Sequence, residues 1–98
     1  MIKHATVICS IDKIGELQEV HKMKGNNIYK IPLTVSFADG RTMYPELRNK
    51  NTHLLDLAKV EEGDDVILDL SFEGSEKKGI RYNNINVIGI KKLEDDKI

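Results

Sequence analysis

The chain has 98 residues, 40% hydrophobic and 32% charged, with a net charge of −1, three Tyr, two Phe, one Cys and no Trp. That length fits one small domain with an aliphatic core, and the apolar-to-charged balance is globular rather than disordered. A lone Cys excludes an internal disulfide and points to a reducing, cytoplasmic setting. No apolar run approaches the roughly 18 residues a membrane-spanning helix needs, and the N-terminus has no signal-like apolar region.

Ala5, Val7, Cys9 and Ile11 alternate with Thr6, Ser10 and Asp12, which predicts a half-buried first strand continuing through Ile14 and Leu17. Ile8 breaks the alternation, and Gly15 suggests a bulge or bend. The stretch His21 to Asn27 reads as a turn. In the second strand Tyr29, Ile31, Leu33, Val35 and Phe37 share a face opposite Lys30, Thr34 and Ser36, and Asp39-Gly40 predicts a two-residue hairpin turn. A third strand is expected from Arg41 to about Leu47, with Pro45 marking an edge or an early end. Asn51 or Thr52 can cap a short helix carrying Leu54, Leu57 and Ala58 on one side, stopped by Gly63.

Val66, Leu68, Leu70 and Phe72 then give the apolar face of a fourth strand. The run 73–79 reads as a polar hairpin loop, and a fifth strand spans roughly Ile80 to Ile90, with Ile85 and Val87 on one face. Three strands, a helix and two strands in this order predict an all-β fold, a five-stranded OB-fold Greek-key barrel with its short helix between strands 3 and 4. Residues 1–92 are expected to form that single domain, and 93–98 a charged tail.

Charge is blocked along the chain. Residues 22–50 carry +4, residues 61–76 carry −7, and residues 77–92 carry +5. A near-neutral total therefore conceals two basic segments that could border one anion-steering groove.

Local wording adds to the order of elements. Val60-Glu-Glu-Gly63-Asp-Asp-Val66-Ile-Leu-Asp-Leu resembles the helix-to-strand junction of bacterial single-stranded DNA-binding proteins. Gly79-Ile-Arg81-Tyr82-Asn-Asn-Ile85-Asn-Val87-Ile-Gly-Ile90 is similar to their last strand. The resemblance implies an OB fold, non-catalytic binding of single-stranded DNA, and association through the first strand, where Thr6, Ile8 and Ser10 have exposed parity. The chain departs from that family in lacking Trp and a long Gly-rich linker, and Lys97 interrupts its acidic ending.

Nothing in the spacing favours catalysis, a metal or a cofactor. His4, His21 and His53 are widely separated, Cys9 lies on the apolar parity of its strand, and the acidic run at 61–65 lacks the alternating ligands of a calcium loop. The candidate nucleic-acid contacts are Lys22, Lys24, Lys30, Arg41, Tyr44, Arg48, Lys77, Lys78, Arg81 and Tyr82. Cations follow phosphates and a Tyr offers a sequence-tolerant stacking surface, whereas Tyr29, Phe37 and Phe72 share core parity. The expected partner is single-stranded DNA, or RNA, bound by a homodimer or higher homo-oligomer. The alternative is an OB-fold adaptor that binds protein and no nucleic acid.

Overall fold

The computed structural model describes residues 4–21, 25 and 27–93. Among these residues seven strands form: β1 (His4–Ile14), β2 (Gln18–His21), β3 (Asn27–Ser36), β4 (Thr42–Met43), β5 (Glu46–Arg48), β6 (Asp65–Lys77) and β7 (Ile80–Lys92). A 3-10 turn (Asn49–His53) and a one-turn helix α1 (Leu54–Leu57) separate β5 from β6. Hydrogen-bonded neighbours run β1–β6–β7–β5–β3, and β3 pairs back onto β1, so five strands close into a ring. The expected five-stranded OB architecture, with its helix between the third and fourth strands of the ring, is what forms.

β1 closes the ring by serving two neighbours. His4 to Ser10 pair with β6, and Ser10 to Ile14 pair with β3. The register slips between Ile11 and Lys13, so Asp12 is the extra residue that bends the strand. Gly15 is therefore not the bulge. It lies past the end of the strand, where its N–H donates to the Pro32 carbonyl at 2.8 Å and a Cβ would stand 2.6 Å from Pro32 Cγ. Leu17 is exposed rather than part of β1, and the next four residues form β2, an unexpected strand paired with the start of β3.

The core is aliphatic, as the composition requires. Cys9, Ile11, Leu33, Val35, Leu47, Val66, Leu68, Leu70 and Val87 are buried inside the ring, with Leu55 and Val60 closing it. Burial holds the Cys9 thiol up at about 11, with Asp12 and Asp65 adding to the rise, so this side chain is a neutral core hydrophobe at pH 7. Outside the core, the Glu61 N–H and then Lys92, 3.3 Å away, hold the Asp64 carboxyl below its ordinary range. In β7 the register slips opposite Asp69/Leu70, leaving Ile88 unpaired, so Val87 and Ile90 both face inward.

Four local expectations are corrected. The loop after β3 has three residues, Ala38-Asp39-Gly40, because the Phe37 N–H bonds the Arg41 carbonyl, and Gly40 takes a φ of 87°. The third strand breaks into β4 and β5 around Tyr44-Pro45, since Pro45 has no N–H for the ladder. The helix buries Leu55 and leaves Leu57 77% exposed, and neither Asn51 nor Thr52 caps it. A single turn has no second repeat to fix its phase, so Leu54 and Ala58 are compatible with either neighbour as the third inward residue. Finally, 73–79 is not a loop: β6 and β7 pair out to Lys77–Ile80 and turn on Lys78-Gly79, both at positive φ (51° and 79°).

Candidate nucleic-acid interface

The site is built by alternation. Met43, Pro45 and Leu47 turn inward, so Thr42, Tyr44, Glu46 and Arg48 turn outward. On β3, Leu33 and Val35 are buried, so Lys30, Pro32 and Thr34 share the outer face, with Lys30 opposite Arg48 and Pro32 opposite Glu46. β5 then pairs in parallel with β7 through Glu46 and Asn86, which puts Asn86, Asn84 and Tyr82 on the same side.

Register orders these groups along one direction. Lys30 and Arg48 stand at one end, Glu46 and Asn86 come next, Tyr44 and Asn84 follow, and Tyr82 and the Lys77–Lys78 turn lie beyond. From Arg48 to the turn is eight residue steps along the strand direction, about 26 Å. Tyr44 is 72% exposed and Tyr82 47%. With Pro32, Thr34 and residues 13–16 and 18, Tyr44 lines an open groove of about 610 Å³ over β3. The Thr42 hydroxyl lies 3.4 Å from the Tyr44 hydroxyl.

The cations differ in what already holds them. Glu46 takes two, with Lys30 Nζ 3.8 Å from Oε2 and Arg48 Nε 3.4 Å from Oε1, all three side chains being about a third exposed or less. The Arg48 Nε is enclosed and makes no hydrogen bond despite that ion pair, and the Asn86 Oδ1 is likewise enclosed and without a donor. Arg41 sits at the far end of β3 in the hairpin turn, 3.5 Å from Asp39 and almost fully exposed. Arg81 and Tyr82 are neighbours in sequence but lie on opposite faces of the β6–β7 hairpin. Arg81 crosses to Glu76 at 3.5 Å, on the face of Phe72 and Ile85, while Tyr82 stands opposite Ser75 on the outer face. Lys77 and Lys78 are exposed at the tip. Lys22 and Lys24 lie outside the described residues.

Two residues of this face escape a reading by residue type. Glu46 is signalled only by its i, i+2 spacing between Tyr44 and Arg48, and Asn86 by nothing, because its burial depends on β5 packing alongside. Tyr29 and Phe72, expected in the core, are 41% and 47% exposed. Both keep inward parity but lie where their strands run past the ring. Tyr29 lines a separate groove with Leu17, Asn49, Lys50, Thr52 and His53. Among the described residues no cluster of three His, Cys, Asp or Glu side chains could hold a metal, and no helix is long and apolar enough to cross a membrane.

No protein-family model matches the chain, and no curated protein matches it. Solved structures do. The second OB-fold domain of replication protein A from Methanococcus maripaludis aligns over 95% of this chain and 86% of that one, at 16% identity and a TM-score of 0.61. Rim1, a mitochondrial single-stranded DNA-binding protein of S. cerevisiae, aligns over 94% and 96%, at 13% identity and 0.62. The dimeric N-terminal domain of PriB from Thermoanaerobacter tencongensis aligns over 95% and 98%, at 14% identity and 0.54. The closed ring, the parallel β5–β7 pairing and these alignments agree: the chain is an OB-fold domain, built like those of replication protein A, Rim1 and PriB.

Proposed function

We propose that the protein binds single-stranded DNA without catalysis, along the outer face of β3, β4–β5 and β7. The observation that carries the reading is the placement of two exposed tyrosines, Tyr44 and Tyr82, on one face between cations at either end. Aromatic rings stack on any base and cations follow the backbone, which suits binding with little sequence preference. Rim1, a single-stranded DNA-binding protein of the same fold, supports the same ligand class. With on the order of four phosphates neutralised, log K should fall with log salt at a slope near −3. Fluorescence anisotropy with labelled oligo-dT, its RNA counterpart and a duplex, at low and moderate salt, tests this. Flat salt dependence, or no binding at low salt, would transfer the assignment to a protein-binding adaptor, for which the face of the hairpin that carries the exposed Phe72 is the natural surface.

The binding unit in this reading is a homodimer joined at β1. Among the described residues, 4–9 of β1 pair only with β6, which leaves a backbone edge without a described partner, and Ile8, 65% exposed, stands beside Ile67 on the outer surface there. The dimeric PriB domain of the same fold supports it. Light scattering at tens of micromolar should report twice the chain mass, and the monomer for Ile8→Glu.

A further inference from the structure

We infer that Glu46 is a built-in competitor for the phosphate backbone, set between the cations at one end of the binding face to limit its affinity. The inference rests on the single-strand reading above. Glu46 is the only acidic side chain among the outward residues of β3, β4 and β5, and its two carboxylate oxygens engage two different cations, Lys30 at 3.8 Å and Arg48 at 3.4 Å. It is 19% exposed, lower in the face than either cation. An arriving phosphate meets these cations already neutralised in part. It must displace the carboxylate or bind beside a like charge, and either route weakens the complex.

The same geometry explains why a carboxylate belongs there. Arg48 Nε is enclosed and makes no hydrogen bond, so without Glu46 a guanidinium would be half-buried with no counter-charge. Glu46 thus stabilises the free protein and opposes the bound one. The consequence is a face that releases its strand readily, with stacking on Tyr44 and Tyr82 carrying more of the affinity than the cations at its near end.

Glu46→Gln keeps the shape and removes the charge. Relative to the unaltered protein it should bind labelled oligo-dT about fivefold more tightly near 0.1 M salt, with a slope steeper by about 0.7, so the gain grows as salt falls. Its melting temperature should drop modestly. Glu61→Gln removes one charge from an exposed turn before β6 and is the control for net charge; it should leave affinity nearly unchanged. Equal or weaker binding by folded Glu46→Gln, or an equal gain from Glu61→Gln, overturns the inference while leaving single-strand binding in place. Failure of every form to bind any single strand removes the functional reading and this inference with it. If Glu46→Gln does not fold, carbon-13 NMR of the unaltered protein decides: the Glu46 carboxyl resonance should move as oligo-dT is added, and an unmoved one overturns the inference.

Discussion

β6 and β7 build two different structures with one pair of strands. Near the ring, Val66, Leu68, Leu70 and Val87 are at most 1% exposed; further out on the same face, Phe72 is 47% exposed and is followed by Gly74 and Glu76. The alternation along β6 is unbroken across the boundary, and from Leu70–Val87 outward to Lys77–Ile80 the register runs without a further slip. What changes is the presence of an opposite wall. Inside the ring β1, β3 and β5 face the strands, whereas past Asn86 the hairpin has no further strand partner among the described residues. Parity assigns a side chain to a face, but only closure of the ring decides whether that face is buried.

Truncations on either side of the boundary should separate the two regions most strongly. Leu68→Ala should lower unfolding free energy by about 2–5 kcal/mol, because a closed aliphatic core cannot collapse around the void. Phe72→Ala, four residues along the same face, should lose under about 1 kcal/mol, since nearly half of the ring already meets water. Urea titrations of both variants check this, and equal losses would mean that the hairpin folds back onto the body.

Binding should invert that order. Changing Lys77, Lys78 and Arg81 together to Ala should weaken oligo-dT binding for all sequences and make the salt slope shallower by up to about 2. Because Arg81 lies across from Glu76 on the other face, restoring it alone should recover little of the slope. Tyr82→Ala should weaken binding by about 1–3 kcal/mol with an unchanged slope and an unchanged melting temperature. A destabilised Tyr82→Ala beside a normally binding triple variant would refute the hairpin as a nucleic-acid clamp.

The smallest effect belongs to the body alone. The Cys9 thiol is raised to about 11 in the folded chain against 9.0 for an unperturbed one. Between these values the unfolded chain has released a proton that the folded chain still holds, so stability is complete below pH 9 and declines toward pH 11. At pH 10 the loss should be about 1 kcal/mol, absent from Cys9→Ala. Denaturation curves of both proteins at pH 8 and 10 measure it, and parallel losses would show a thiol that is not enclosed.

The sequence by itself determined the order of the five ring strands and their helix, the aliphatic core and the fold, because period-two alternation and turn residues are local properties of the chain. Leu33, Val35, Val66, Leu68 and Leu70 could be placed inside from spacing alone, and so could the outward Lys30. The phase of the helix, the exposure of Tyr29 and Phe72, the long hairpin and the bend at Asp12 were decided by tertiary structure. Each depends on which strand lies opposite, and at what register, information that no window of neighbouring residues contains. The proposed binding face divides in the same way. Its tyrosines and cations were legible as residue types, but the separation of Arg81 from Tyr82, and the pairing of Lys30 and Arg48 with a shared Glu46, arise only when β3, β5 and β7 lie side by side. Electrostatic partnership is set by distance in space, and here Lys30 and Glu46 are sixteen residues apart in the chain and 3.8 Å apart in the fold.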